Sequence, residues 1–220
     1  YAQFSTDGST ALTAAITSPS STAAIQVTST TGFPSSGFLL IEQEVIQYTG
    51  ITATTFTGIT RGVNSSTASS HAIGVGVSLA SYANATPTVA YMNVVNYSNG
   101  INLNTPYTGG MTIVHSGLYK ISFSIQFVNP GNAYDDVKSW MRVNGTNISY
   151  SNSYITVVEK HAGVPGTSIL SVDFLYQFTA GDTFELMWQN TVGFASLATI
   201  AGTASYPSSP AVVCVITQIA

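Results

Sequence analysis

Hydroxyl groups and three histidines are the side chains of this chain that could take part in nucleophilic catalysis. Such catalysis needs a serine or cysteine within hydrogen-bond reach of a base, and a third group that orients the base. None of His71, His115 and His161 lies in a diagnostic pattern such as G-x-S-x-G. His115 precedes a strongly patterned strand, and the other two lie in stretches rich in Gly, Ser and Ala. We therefore expect loop or sheet-edge histidines, no catalytic residues and no cofactor.

Metal chemistry also has weak support in the sequence. Zinc requires closely spaced His or Cys ligands, but the histidines are far apart and Cys214 is the single cysteine. Cys214 lies in an alternating apolar run, which predicts a small buried side chain. The adjacent acids Asp135 and Asp136 could bind calcium, but a solvated loop tip beside Lys138 accounts for them better. The sequence predicts no metal site.

A glycosidase would need two opposed carboxylates, one of them with a raised pKa. Glu42 and Glu44 fall in one predicted turn, where we expect both to be exposed to solvent. A polysaccharide-cleaving enzyme is therefore the least supported hypothesis, and Glu159 and Asp173 are the acids whose substitution would test it.

Aromatic side chains are the other groups that could bind a ligand, because ring faces stack on sugars and phenol groups donate hydrogen bonds. The chain has twelve tyrosines and two tryptophans. Three tyrosines in or beside predicted loops are candidates for contact with a glycan: Tyr134, Tyr150 and Tyr154. The same residue types fill cores and subunit interfaces. We expect core or subunit-contact positions in the predicted strands at Phe123, Phe127, Trp140, Phe184, Trp188, Val213 and Val215.

β-Strands must position these residues, because apolar side chains recur at every second position rather than with helical spacing. In 120–127 (KISFSIQF) apolar residues alternate with Ser and Gln, so one face is predicted to be buried. The same alternation occurs in 171–178 and 183–189. Asn144-Gly145 between two such runs favours a tight type I′ hairpin. The whole chain is predicted to be all-β.

A short polar stretch near Tyr82 divides the chain, and we predict a small β module in 1–82 and a larger β domain in 83–220. In the first part, two hairpins are expected over 38–49 and 50–61, with Phe56 and Ile59 buried in the second. Four spaced apolar residues near the start favour a weakly patterned strand pair: Leu12, Ile16, Ile25 and Val27.

Composition limits the partners of this protein. Only 6% of the residues are charged and the formal net charge is −4, whereas about a quarter of the residues in ordinary soluble domains are charged. The charges form no basic block that would bind a nucleic-acid backbone, and no apolar run approaches the ~20 residues of a membrane span. We expect neither nucleic-acid binding nor membrane insertion. A surface so poor in charge must either rely on small neutral polar groups for solubility or be covered by copies of the same chain.

The second part resembles the C1q/TNF-like jelly rolls, in the variant common among structural proteins of tailed bacteriophages. Three segments carry the resemblance: 116–126 (SGLYKISFSIQ), 178–186 (FTAGDTFEL) and 210–219 (PAVVCVITQI). The resemblance implies a C1q/TNF-like β-sandwich that follows the small β module. It also implies a homotrimer whose sandwiches pack around a three-fold axis.

The first part resembles a small β module that recurs in phage virion proteins. The resemblance covers 32–50 and continues through 56–64 to His71; it includes a Tyr-Thr-Gly turn and an Arg-Gly stretch. Ser65-Ser66 stands where that module has Gly-Thr, which leaves its turn geometry open. The resemblance implies a protein at the particle surface, whose first part attaches to other capsid or tail proteins.

The leading hypothesis is therefore a non-enzymatic virion protein of a tailed phage, as a trimeric decoration, cement or fibre component. The alternative is a fibre or adhesin knob whose loop tyrosines bind a host-surface glycan. A subunit of a bacterial surface filament would share this composition.

Overall fold

A computed structural model describes residues 1–83, 85–104 and 109–220. Within these residues the secondary structure consists of strands, turns and bends without helices, which confirms the predicted all-β class. Accordingly, the described part of the chain has no helix that could cross a bilayer.

The strands, in chain order, are β1 (Ala2–Ser5), β2 (Ser9–Ala11), β3 (Ile25–Gln26), β4 (Gly37–Ile41), β5 (Glu44–Tyr48), β6 (Gly50–Ile51), β7 (Thr55–Thr57), β8 (Gly76–Ser81), β9 (Thr88–Val89), β10 (Val94–Ser98), β11 (Ile101–Leu103), β12 (Met111–Ile113), β13 (Gly117–Asn129), β14 (Asp135–Val143), β15 (Thr146–Asn147), β16 (Ser153–Val157), β17 (Gly166–Phe178), β18 (Thr183–Asn190), β19 (Ser196–Ala198) and β20 (Val212–Gln218).

Two antiparallel sheets form a β-sandwich from the second part of the chain. The first sheet contains the series β10-β1-β20-β13-β17, in which β13 and β17 pair along their whole lengths. The second contains β11-β12-β18-β14, with β15 and β16 beside β14. A shared core joins the two sheets; for example, the rings of Phe127 and Trp188 are 5.8 Å apart. The expected β-sandwich is therefore present.

Period-two alternation decides which side chains enter this core. Phe123, Phe127, Phe184 and Trp188 are buried between the sheets. Cys214 is buried as predicted, and burial raises the pKa of its thiol to about 12.

Of the two positions predicted for Trp140, in the core or at a subunit contact, the structure excludes the core. The inward positions of β14 are Val137, Ser139, Met141 and Val143, so the alternation turns Trp140 to the outer face. There it is partly buried, and its indole N–H donates to Asn147 Oδ1 at 2.8 Å.

The β14–β15 turn confirms the predicted tight hairpin. Asn144 and Gly145 have φ values of 49° and 75°, the left-handed pair of a type I′ turn. Asn144 Oδ1 also accepts from the backbone N–H of Thr183 at 2.8 Å, which ties the turn to the start of β18.

The first part of the chain has its own core, beside a continuation of the first sheet. Strands β4, β5 and β8 extend that sheet through β19, and β3, β7 and β6 form a three-stranded sheet. The predicted hairpins at 38–49 and 50–61 are present. The apolar residues predicted to be patterned or buried here all lie in this core: Leu12, Ile16, Ile25, Val27, Phe56 and Ile59.

Strand β1 shows that the start of the chain also belongs to the sandwich. It pairs with β10 and β20, and its Ala2 and Phe4 are buried in the sandwich core. The boundary between 82 and 83 remains a prediction.

Candidate functional site

A buried cluster of ionisable side chains joins three segments of the first part of the chain. Glu44 begins β5, Arg61 follows the second hairpin, and His71 lies where the backbone bridges to Ile16. The exposed fractions of the Glu44, Arg61 and His71 side chains are 0%, 5% and 0%. Charges this deeply buried require partners, and the cluster supplies them.

Glu44 is the centre of the cluster. Arg61 approaches it with two N–H groups, from Nε to Oε1 at 2.6 Å and from Nη2 to Oε2 at 2.7 Å. The backbone N–H groups of Gly62 and Ser69 donate to the same carboxylate at 3.1 and 3.0 Å. This two-point geometry is the strong form of a charged pair, and it holds the 61–71 segment against the β4–β5 hairpin.

His71 bridges two carboxylates. Its Nδ1 lies 2.7 Å from Glu42 Oε2, and its Nε2 lies 2.7 Å from Glu44 Oε2. A carboxylate only accepts hydrogen bonds, so both ring nitrogens must carry protons and the imidazole is cationic. Burial alone would lower the pKa of His71, but the hydrogen bonds and charges of Glu44 and Glu42 outweigh it and raise the pKa above 6.5.

The pKa of Glu44 is also shifted. Burial acts to raise it, but the hydrogen bonds from His71, Arg61 and Ser69 and the charge of Arg61 outweigh burial and lower the pKa to about 2. Glu44 is therefore ionised throughout the neutral and mildly acidic range.

Ser69, His71 and Glu42 are arranged like a catalytic triad, but His71 cannot act as the base. Ser69 Oγ lies 3.5 Å from His71 Nε2, and Glu42 orients the opposite nitrogen. A triad histidine must accept the serine proton at Nε2, whereas here that nitrogen already donates to Glu44. This geometry supports a structural role for the cluster, not hydrolysis.

The prediction for Glu44 was wrong, because it was expected to be exposed in a turn and is buried. His71 lies in a loop-like segment as predicted, but its burial was not foreseen. Only Glu42 is exposed, with 55% of its side chain accessible. One signal was present: Arg61 is the only Lys or Arg in residues 1–82. In a module so poor in charge, a lone arginine beside few acids indicates an internal pair.

Glu42 holds an unfavourable backbone conformation. Its φ is 53°, in the left-handed region that residues with long side chains adopt infrequently. Such conformations cost about 1–3 kcal/mol and persist where the surroundings impose them. Here the bond to His71 fixes the carboxylate, so the strained turn presents a charged group in a defined place.

Asp135 also corrects the sequence analysis, which placed it in a solvated loop. It begins β14 and is fully buried. The consecutive backbone N–H groups of 191–195 all donate to its carboxylate, at 2.8 to 3.1 Å. Asp135 therefore orders the loop after β18, and its oxygens are occupied by these donors rather than open to a metal.

Asp136 and Tyr154 meet on the outer face of the second sheet. The hydrogen bond from Tyr154 to Asp136 raises the pKa of this tyrosine, and the neighbouring Tyr134 adds to the effect. The exposed fractions of Tyr134 and Tyr154 are 60% and 55%. The structure thus brings two of the three candidate tyrosines close together.

Tyr150 lies in the loop between β15 and β16, is fully exposed and has a φ of 64°. The neighbouring Ser151 is buried, and its hydroxyl accepts from the Met141 backbone N–H at 3.0 Å. The loop that presents Tyr150 is therefore anchored to β14.

The outer face of the first sheet combines small polar and apolar side chains. Ser122 lies between Val215 and Asp173, and Ser124 lies between Val213 and Ser171. Both valines are partly buried. Farther along β17, Ile169 and Leu175 are 61% and 62% exposed. Lys120 and Asp173 on this face pair with each other at 3.0 Å, so the face carries little net charge.

An apolar groove of about 590 Å³ separates the hairpin part of the chain from two loops of the sandwich. Leu40, Val75, Val128, Val164 and Ile200 contribute to its lining. Its volume is that of a ligand pocket. Its polar side chains are Glu42 and five hydroxyl residues, and it contains no amide or cationic side chain.

Comparison with known proteins adds a likeness of fold. No protein-family model and no curated protein matches the chain. Among solved structures, the chain is similar to pika GITRL, with 20% identity and a TM-score of 0.31 over 59% of this chain and 86% of that one. It is also similar to rabbit GITRL, with 18% identity and a TM-score of 0.31 over 55% of this chain and 77% of that one. Likeness at this level transfers no property of those proteins to this chain.

The buried cluster predicts a bell-shaped dependence of stability on pH. The pKa of His71 is higher in the folded protein than in the unfolded chain, so the protonated imidazole stabilises the fold. This contribution is complete below pH 6.5 and is lost as the pH rises through the pKa that His71 has in the folded protein. The lowered pKa of Glu44 stabilises the fold above pH 4.5, and this contribution, about 3 kcal/mol, is lost as the pH falls towards about 2. When urea unfolding is measured at different pH values, the urea concentration at the midpoint should therefore be highest between pH 4.5 and pH 6.5.

His71→Gln tests the alkaline limb of this profile. The substitution removes the titrating group, so the decline above neutral pH should flatten. The acid limb should become smaller but persist, because Arg61 and Ser69 still lower the pKa of Glu44 when the bond from His71 is lost. An unchanged alkaline limb in this variant would show that another group controls it.

Proposed function

We propose that this chain is a non-enzymatic structural protein of a tailed-phage virion, of the trimeric decoration, cement or fibre type. The observation that carries the proposal is the outer face of the first sheet, where Ile169 and Leu175 of β17 are exposed and Val213 and Val215 of β20 are partly buried, with the serines of β13 between the two strands. A face of apolar and small neutral side chains has the charge-poor composition of the centre of a subunit interface. Assembly of copies would cover this face.

The scarcity of charge supports the same assembly. With 6% charged residues, an isolated subunit has few groups that keep it soluble and monomeric. On the proposed interface the pair of Lys120 and Asp173 is already neutral as a unit, so burial leaves no unpaired charge between subunits. Three copies related by a rotation axis form a closed assembly.

The first part of the chain is proposed to attach the trimer to the particle. Its buried Glu44–Arg61–His71 cluster adds to the hydrophobic core of this part in holding short strands and long loops together. A rigid module of this kind presents the same loops in each of three subunits, and repeated weak contacts give strong attachment.

Ser124→Asp tests the trimer. It introduces a charge in the middle of the outer face without touching the sandwich core, so a folded subunit should remain while the trimer dissociates. Light scattering coupled to size exclusion should give three times the 23.0 kDa chain mass for the original protein and a lower mass for the variant. Ser35→Asp, at an exposed position in the first part, is the matched control. A monomeric original protein would contradict the proposal.

Location on the particle is tested by gold-labelled antibody against the full chain on purified tailed phage. Labelling of heads or fibres supports a virion role, and absence of the protein from intact particles contradicts it.

A second candidate function is recognition of a host glycan by the face around Asp136. The exposed Tyr134 and Tyr154 beside this carboxylate favour it, because sugar sites combine aromatic faces with hydrogen-bonding groups. A glycan array with the full chain and with Tyr154→Ala would distinguish this role, since a purely structural protein gives no signal in either form.

A further inference from the structure

A polar pocket of about 360 Å³ lies beside the buried cluster. It is formed by the β4–β5 turn, the segment that leads to His71 and the loop between β16 and β17. Its lining consists of one carboxylate, one amide, three hydroxyls and one ammonium: Glu42, Gln43, Thr67, Ser69, Ser70 and Lys160. This donor and acceptor content differs sharply from the apolar groove described above.

Glu42 and Lys160, which carry opposite charges, line this pocket, and each has a hydrogen-bonding group that is available to a ligand. Glu42 uses Oε2 for His71, and its Oε1 makes no hydrogen bond within the described residues. Lys160 likewise has no ion-pair partner for its ammonium group in the part of the chain that the structure describes. An acceptor and a cationic donor are thus both available to a molecule in the pocket.

The walls that carry these two groups are held in place. Glu42 is fixed by His71, which is in turn bound to Glu44. The Lys160 backbone N–H donates to Gly131 O at 3.0 Å, and the turn that follows is closed by the backbone bridge between His161 and Val164. Ordering of the site before binding reduces the entropy that a ligand must overcome.

The loop that carries Lys160 also comes close to the β4–β5 turn. A Cβ added to Gly163 would lie 3.2 Å from Gln43 Nε2, so the two segments are in near contact. The pocket is therefore enclosed by segments from both parts of the chain.

The charges around the pocket favour an anion. In the lining itself, the charges of Glu42 and Lys160 balance. Behind the lining, Arg61 balances Glu44, and the doubly protonated His71 adds one positive charge. The hydroxyls and the Gln43 amide add neutral hydrogen-bonding positions. A ligand that matches both features is a small monoanion with several hydroxyl groups.

We propose that this pocket binds one uronic-acid-type sugar residue of an acidic polysaccharide. The sugar carboxylate pairs with Lys160, and adjacent sugar hydroxyls donate to Glu42 Oε1 and exchange hydrogen bonds with the serine and threonine hydroxyls. The volume is within the usual range for small ligands and accommodates a single sugar ring. This binding function goes beyond the structural role, and it uses a different surface from the tyrosines around Asp136.

Calorimetric titration of the full chain with glucuronate tests the site, with glucose and acetate as probes that each lack one feature. Binding of glucuronate with much weaker binding of both other probes is expected. Lys160→Met should weaken binding of glucuronate about tenfold or more, because a charged hydrogen bond is lost. Lys138→Met, on the outer face of the second sheet, should leave it unchanged.

Glu42→Gln is a second variant whose binding of glucuronate is measured. Its thermal unfolding midpoint shows whether weaker binding comes from the lost ligand contact or from a lost fold. Equal binding of acetate and glucuronate would overturn the proposal in favour of a general anion site. Unchanged glucuronate binding in Lys160→Met, or loss of binding in Lys138→Met, would also overturn it. None of these outcomes depends on whether the protein is trimeric or belongs to a virion.

Discussion

Phe123→Asp is expected to abolish folding of this chain. Phe123 is 2% exposed in the middle of β13, between the two sheets of the sandwich. Loss of the ring alone costs about 3–5 kcal/mol, and the buried carboxylate has no cationic partner in this core, which adds several kcal/mol. Together these costs approach the 5–15 kcal/mol total stability of a typical domain. Circular dichroism and solubility after expression would measure the loss.

Ser124→Asp is the matched control, since it places the same charge one residue away on the opposite face of the same strand. It should keep the sandwich folded, whatever its effect on assembly. If both variants fold equally well, the two faces of β13 have been assigned wrongly.

Glu44→Gln is expected to lower the free energy of unfolding by about 3–5 kcal/mol, the range observed when one member of a buried ion pair is removed. The amide keeps the size of the side chain but leaves Arg61 and His71 buried without their shared anion. Its NH₂ group would also face donors rather than acceptors. Urea unfolding gives the total change, and hydrogen exchange of peptides from 40–72 gives the local one.

Glu185→Gln provides the comparison for Glu44→Gln. Glu185 pairs with Arg142 at 2.6 Å, but 24% of its side chain is exposed, so solvent screens the pair and the loss should be about 1 kcal/mol or less. If the two variants lose the same free energy of unfolding, burial does not strengthen the ion pairs of the Glu44 cluster.

The strands and their buried faces could be predicted because their signals are local. In β13 the alternation of aromatic or aliphatic residues with serine needs no knowledge of distant partners, and a strand puts alternate side chains on opposite faces. Asn144-Gly145 likewise encodes its turn through the positive φ values that these two residue types tolerate.

The predictions failed where a polar residue finds its partner far away in the chain. Asp135 is adjacent to a second acid and resembles part of a solvated loop, yet its donors lie at 191–195. His71 finds Glu42 and Glu44 almost thirty residues earlier. Side-chain polarity indicates that a group needs hydrogen bonds, but it does not indicate whether water or the protein supplies them.

The outward position of Trp140 could not be predicted for a related reason. Its strand was identified, but both faces of a sheet strand can carry large side chains, and the register against β18 decides which face points inward. Strand β1 depends even more strongly on distant segments of the chain. It is short, and it is stabilised by pairing with β10 and with β20, which lies near the opposite end of the sequence.

The amino-acid sequence by itself determined the all-β class, the positions of the main strands, the burial of Phe123, Phe127, Phe184 and Trp188, and a surface poor in charge. These features follow from residue type and spacing along a short stretch of chain. The tertiary structure alone decided the buried Glu44–Arg61–His71 cluster, the enclosure of the loop at 191–195 around Asp135, and the polar pocket shared by Glu42 and Lys160. Each of these depends on which distant segments come within hydrogen-bond distance, and only the packing of the folded chain specifies that.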